Sequence, residues 1–431
     1  MQILFIIILL LISFAASKYE KNIYNPATLF SFIWALVFSL ASIRFYDLNA
    51  ASLYSYTLAF IGVINFNIGC YIRRKVTVKQ KIKVIDYTKD CVINYAFLMV
   101  FYGIILAFTA LLAIISIGLI RSGVSMAMLR TTYDDVSSGM VIRSNAVYQF
   151  ENYIVTTAEF AAVALLPVVF TDNAGWKKNV VALELIAFLV LHMFVTGARS
   201  FLIDIAILFF VYILINRSLI SKFQEYFKKV PKFVFVIIGV GSIGLVVFMT
   251  TLRKGSNEPI FRQIYRYFSI SMPLFDTHLG LLGKEQSYTY GWTILYGIVR
   301  PWFSFLHSAG LPFPAGLEKA IEMVSMNNNF YPVGGGWANS FVTVFFYESM
   351  DFGIIGIPIF SCLYGIVAQS YYLRMINYPN RRNQALYLLI SIGLILSFVR
   401  QFYTAFRYVY AFVLICVAFK SAKRQDDPLR I

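Results

Sequence analysis

A chain of 431 residues that is 59% hydrophobic and 17% aromatic, with 13% charged side chains, carries about half the charge of a soluble domain. One water-soluble core cannot hide that much apolar side chain, because its surface would be apolar too; lipid as solvent removes the conflict. The net charge of +16 needs no nucleic acid to explain it, because the basic residues fall where a membrane topology puts them.

Apolar runs near the roughly 20 residues of a spanning helix recur at 1–17, 27–45, 51–72, 92–120, 153–171, 180–195, 201–216, 233–251, 353–375, 385–403 and 408–420. The expected fold class is all-α: a polytopic integral membrane protein of about 11 (10–12) transmembrane helices. The first run has no basic segment before it and no small-x-small site after it, so it reads as a retained helix and not a cleaved signal. No internal repeat and no Gly/Ser- or Pro-rich linker divides the chain, so 1–431 reads as a single membrane domain with two large outward loops, 121–152 and 252–350.

Short loops rich in Lys and Arg stay cytoplasmic. Seven basic residues lie between Arg73 and Lys89, five between Arg217 and Lys232, and four between Lys420 and Arg430. These alternate correctly if the N-terminus is outside and the C-terminus inside. The inner side then holds 15 Lys and 8 Arg, and the outer side 3 Lys and 11 Arg. Arg presents a planar fork suited to phosphate or carboxylate, whereas Lys is a point charge; snorkelling at the interface is the plainer account of the same bias.

Within 252–350, Ser256-Asn257-Glu258-Pro259 reads as a helix start. Ile260, Phe261, Ile264, Tyr267 and Phe268 then share one face, and Arg262 and Arg266 another, as in an interfacial amphipathic helix. The stretch 291–305 is apolar but too short to cross. Gly334-Gly335-Gly336 makes a turn before Trp337. The apolar stretch 338–347 reads as a re-entrant or partial helix, which is tolerated at membrane depth only when buried in protein or lining a wet cavity. Together these describe a cavity at the outer interface.

Neither the histidines (His192, His278, His307) nor the four cysteines have metal-ligand spacing, and no nucleotide fingerprint appears. No metal or cofactor is expected, so a reaction here must be driven by an activated substrate. Ionisable side chains at depth usually face an interior or a cavity. Arg199, in Thr196-Gly197-Ala198-Arg199-Ser200, Arg253, Arg300, Arg400 and Arg407 share the outer level on separate segments and are candidates for an anion. Arg199 pairing with Asp204, and interface anchoring of Arg400 and Arg407 beside Tyr403 and Tyr408, are the alternatives. His307, after Arg300-Pro301-Trp302, is a candidate general base or a packed histidine. Glu348 and Asp351 are candidate catalytic carboxylates or favourable charges at a helix start.

Three segments carry a resemblance: Asn25-Pro26-Ala27 opening the second helix, Thr196 to Ser200, and Asn339-Ser340-Phe341 leading to Asp351-Phe352-Gly353. With the two outer loops, the chain resembles the bacterial O-antigen and capsular repeat-unit polymerases of the Wzy type. The resemblance implies a membrane glycosyltransferase that joins undecaprenyl-diphosphate-linked oligosaccharide at the outer face of the cytoplasmic membrane, alongside a chain-length regulator and a flippase. Some members place Gly eleven residues after an Arg in each large loop; no outer Arg here has that spacing. A lipid-linked oligosaccharide flippase and a related O-antigen ligase are the rival readings. The two similar halves expected of a flippase are not visible.

Overall fold

The computed structural model describes residues 1–79, 91–133, 140–142, 144–197, 200–216, 260–285, 288–339 and 341–421. Among them the fold is all-α, apart from two antiparallel pairs of very short strands. Seven helical runs are long and apolar enough to cross a membrane: Gln2–Glu20, Pro26–Ile43, Leu53–Val76, Tyr95–Arg121, Asn145–Phe170, Trp176–Thr196 and Thr343–Asn377. The expected spans 201–216 and 408–420 occur as the shorter apolar helices Phe201–Ile215 and Phe406–Val417. The expected span 385–403 is helical only as far as Ile395. The expected span 233–251 and the helix start at 256–259 lie outside the described residues.

The chain divides into two compact units. The first comprises residues 1–88, 258–379 and 389–410. It holds α1 (Gln2–Glu20), α2 (Pro26–Ile43) and α3 (Leu53–Lys79). In the second unit (residues 89–257, 380–388 and 411–431) follow α4 (Tyr95–Arg121), α5 (Met126–Thr132), α6 (Asn145–Phe150), α7 (Thr156–Phe170), α8 (Trp176–Thr196) and α9 (Ser200–Ile215). The first unit resumes with α10 (Ile260–Ser269), α11 (Ser271–Glu285), α12 (Trp292–Ser308), α13 (Ala315–Ser325), α14 (Thr343–Phe352) and α15 (Gly356–Asn377). Two more helices, α16 (Arg381–Ile395) and α17 (Phe406–Val417), complete the set.

In the first unit the most extensive helix pairing is α3 on α15. Small residues make it possible, because apolar side chains gain little from burial against each other when lipid is the alternative, and close backbone approach supplies the attraction. A Cβ added at Gly69 would lie 2.0 Å from the Cys362 carbonyl oxygen, and one at Gly365 would lie 2.0 Å from that of Phe66. The contact is therefore reciprocal, glycine to backbone in both directions. Trp34, Phe30 and Phe38 of α2 are buried beside it. The Asn25 side chain accepts from the Thr28 amide at 2.9 Å, and Pro26 follows in the first turn, which fixes where α2 begins.

The segment 260–339 of this unit is a folded layer and not an open loop. Strands Tyr331–Pro332 and Trp337–Ala338 pair across the turn made by Gly334, Gly335 and Gly336, all with positive φ. Arg262 donates to the Gly335 carbonyl at 2.6 Å and Arg266 to that of Trp337 at 3.3 Å. The Tyr265 hydroxyl donates to the Leu40 carbonyl and accepts from the Phe45 amide, both at 2.9 Å. The arginines of α10 thus bind the strand pair and its turn, Tyr267 and Phe268 pack on Phe341 and Phe398, and Phe261 (77%) and Ile264 (55%) are left exposed. Such an orientation suits a helix resting on lipid. On α12, Leu295, Ile298, Trp302 and Phe305 form a second exposed apolar stripe at helical spacing.

In the second unit α4 packs along α8, and α7 packs against α8 and α9. Strand Cys91–Ile93 pairs with Phe419–Ser421. Arg381, in the first turn of α16, donates to the Tyr212 hydroxyl and the Thr171 carbonyl.

Replacing Gly365 by Ala should destabilise the detergent-solubilised protein by about 1–3 kcal/mol, the usual cost of overpacking. Gly118, with open space around its Cα, is the matched control, and its Ala variant should melt like the parent in a thermal size-exclusion assay.

Candidate functional site

The first unit contains two interrupted helices, and each supplies what the other lacks. Helix α14 is buried along its length from Thr343 to Asp351, and its first residue, Thr343, has φ +68. That conformation is a true outlier for a β-branched side chain and marks local strain. Helix α16 stops at Ile395, and turns continue to α17 at Phe406. The Val342 amide donates to the Val399 carbonyl at 3.1 Å, and the Val344 amide donates to that of Ser397 at 2.8 Å. Trp34 Nε1 holds the Ser397 hydroxyl at 3.0 Å. Backbone groups freed where a buried helix breaks need partners within the protein, and here the two breaks pair with each other.

Arg400 leaves the chain at this junction. It is half-buried, its charge acts on the Tyr347 phenol of α14, and among the described residues it forms no ion pair. On the same elements, Thr343 Oγ1, Gln401 Oε1, the Tyr403 hydroxyl and, further along α14, Glu348 Oε1 are buried without a hydrogen-bond partner. Buried polar atoms in native proteins are nearly always paired, so these atoms are open to a polar partner.

Helix α12 closes on the same junction. A Cβ at Gly297 would lie 2.1 Å from the Tyr403 carbonyl oxygen, so only glycine permits this approach. Three residues further along, Arg300 is half-buried, with its guanidinium 5.1 Å from the Tyr296 ring centroid. The N-terminus of α12 is held by Asp351 at the far end of α14. Its Oδ1 accepts from the amides of Gly291 (2.8 Å) and Thr293 (3.0 Å) and from the Thr289 hydroxyl; Oδ2 accepts from the Ile294 amide (2.9 Å). This is a helix cap supplied from another helix, with charge favourable to the dipole. Beyond it, Tyr288, Phe352, Ile355, Ile359 and Phe360 line an open apolar groove.

The sequence-derived candidates therefore separate. Arg300, Arg400 and Arg407 belong to elements that pack together. Arg407, half-buried, opens α17. Arg199 and Arg253 lie outside the described residues. Glu348 is buried, and its Oε2 accepts from the Ser361 hydroxyl at 2.6 Å. Asp351 has both oxygens occupied by the α12 cap. His307 is exposed in the last turn of α12, stacked on Phe313 with centroids 4.4 Å apart, and its Nδ1 donates to the Leu311 carbonyl at 3.1 Å. That is the packed alternative for this histidine.

The other histidine of this unit is His278. It is fully buried on α11 between Tyr331 and Phe346. Nδ1 lies 2.8 Å from the Leu274 carbonyl and must be the donor, since a carbonyl only accepts; Nε2 has no partner. Burial lowers its basicity, leaving a neutral ring with a bare acceptor nitrogen.

Comparison with protein-family models, with characterised proteins and with solved structures finds no match to this chain.

Replacing Asp351 by Ala removes the cap and should cost about 1–2 kcal/mol of stability, read as a lower melting temperature. Replacing it by Asn keeps one acceptor oxygen and should recover part of the loss.

Proposed function

We propose that this chain is a membrane glycosyltransferase that polymerises undecaprenyl-diphosphate-linked oligosaccharide repeat units into O-antigen or capsular polysaccharide at the outer face of the bacterial cytoplasmic membrane. The observation that carries the reading is Arg400: a half-buried guanidinium at a double helix break, without an ion pair among the described residues. In this reading the chain crosses the membrane about eleven times, with 121–152 and 252–350 outside. The exposed apolar stripes of α10 and α12 then rest on the outer leaflet.

The chemistry fits the residues at hand. The donor sugar leaves its lipid diphosphate, and negative charge grows on that leaving group in the transition state. A preorganised guanidinium in a site of low polarity stabilises such charge. Arg400 and Arg300 hold the diphosphate, and Arg407 flanks them. The acceptor hydroxyl needs a weak base. Glu348 and His307 are the candidates for that work, while Asp351 is a positioning residue that fixes α12 and so Arg300. The absence of a nucleotide fingerprint follows, because departure of the diphosphate drives the transfer.

Deletion of the gene followed by glycan gel analysis should remove long chains and leave single-repeat material. Loss of all surface glycan, including single repeats, would instead mark a flippase or a ligase. Arg400→Lys preserves charge but not the bidentate fork; with membrane expression checked, it should cut polymerisation about a hundredfold, on the order of 3 kcal/mol. Arg382→Lys, on the side read as cytoplasmic, should have no effect. Full-length polymer at normal levels from Arg400→Lys and Arg300→Lys alike would show these residues to be interface anchors.

A further inference from the structure

Away from the Arg400 junction, the first unit gathers basic side chains that the proposed transfer reaction does not use. Helices α1, α3 and α15 are tied together near their C-termini through Glu20 and Asn22. Glu20 accepts from Gln369 Nε2 of α15 at 3.1 Å and lies 3.6 Å from the Arg74 guanidinium of α3. Asn22 Nδ2 donates to the Tyr372 hydroxyl of α15 at 2.5 Å. Lys18, Lys21, Arg73, Arg74, Lys75 and Arg374 all lie within a few residues of these contacts. Glu20, engaged by Arg74 and Gln369, is the one acid beside them among the described residues. Lys18, Lys21 and Lys75 are exposed.

These cations stand at the edge of an apolar surface. Lys18 Nζ lies 5.5 Å from the Phe14 ring centroid, Lys75 Nζ 5.3 Å from that of Tyr71, and the Arg374 guanidinium 5.5 Å from that of Tyr371. Each ring precedes its cation by one helical turn, so each stem folds back over the previous turn. Leu11 and Phe14 on α1, and Ile68, Tyr71 and Ile72 on α3, are exposed there. Long basic side chains with their stems on apolar surface and their heads beyond it are the arrangement found at a bilayer interface.

Charge and apolar surface together give the site its ligand. A free phosphate or a nucleic acid would meet the cations and leave the apolar surface bare. A zwitterionic lipid would cover that surface but carries its own cation beside its phosphate. An anionic phospholipid supplies both a headgroup of net negative charge and acyl chains. Each Lys or Arg close to such headgroups strengthens binding about fivefold.

We infer that the joined ends of α1, α3 and α15 form a binding site for the headgroup of an anionic phospholipid, held by Lys18, Lys21 and Lys75. The inference is independent of the glycosyltransferase reading. The full chain, purified in detergent, is titrated with phosphatidylglycerol and, separately, with phosphatidylcholine of the same acyl chains, and retained lipid is read by native mass spectrometry. The parent protein should retain phosphatidylglycerol in preference to phosphatidylcholine. Lys18→Gln, Lys21→Gln and Lys75→Gln should each lower that preference about fivefold, and the triple variant about a hundredfold. Lys177→Gln, at an exposed lysine of the second unit, should leave it unchanged. Glycerol 1-phosphate, an anion without chains, should not displace the lipid. Equal retention of the two lipids by the parent would overturn the inference, as would an undiminished preference in all three single variants. A loss in Lys177→Gln as large as in Lys75→Gln would also overturn it, by making the attraction diffuse. So would displacement by glycerol 1-phosphate, which would make this a site for free phosphate.

Discussion

Two backbone hydrogen bonds, from Val342 to Val399 and from Val344 to Ser397, are the constraint on which the first unit depends. Within hydrocarbon, an unpaired amide or carbonyl costs several kcal/mol. A helix can therefore end at depth only where another segment completes its hydrogen bonding. The stop of α16 at Ile395 and the late start of α14 at Thr343 are tolerated because they face each other. The same junction brings out Arg400 and gives Gly297 of α12 a backbone to rest on. Strain at Thr343 is held in place by the buried length of α14 behind it, which locks into α12 through the Asp351 cap and into α15 through the Glu348–Ser361 hydrogen bond.

Membrane residence and helical class were legible in the sequence, because hydropathy is a local property and the longest runs leave no alternative. The shorter runs were harder to place. The apolar pattern of 385–403 continues smoothly through Ile395, and nothing in Leu396-Ser397-Phe398-Val399 marks a break, because the break is stabilised by Val342 and Val344 from another part of the chain. The amphipathic character of α10 was visible in the spacing of its residues. That its arginines bind the strand pair and its turn was not: this depends on carbonyls presented some seventy residues later.

The histidines illustrate the limit most clearly. His307 drew attention because it follows Arg300-Pro301-Trp302, yet it stacks on Phe313 at the surface. His192 attracted little notice within an apolar helix, yet its ring meets both Glu151 and Glu159, and Glu151 lies forty-one residues away. Eight residues separate Glu151 from Glu159, about 80° on a regular helix, and no spacing in the sequence brings them closer. Only the π-helical turn at Glu151–Val155 does, and π-turns leave no reliable mark in composition. Asp351 was read as a carboxylate at a helix start. It does serve a helix start, but that of α12 and not of its own helix or the next.

The junction at Arg400, as proposed above, recognises a lipid diphosphate. Farnesyl diphosphate presents that headgroup on a short polyprenyl chain, and its binding to the purified protein can be followed by native mass spectrometry or calorimetry, with farnesol as the chain without the anion. The account requires that farnesyl diphosphate bind, that farnesol fail to displace it, and that Arg400→Gln weaken it at least about tenfold, the loss of roughly one charge-assisted contact. Equal affinity of the parent protein and Arg400→Gln for farnesyl diphosphate, or equal affinity of the parent for farnesol, would contradict it.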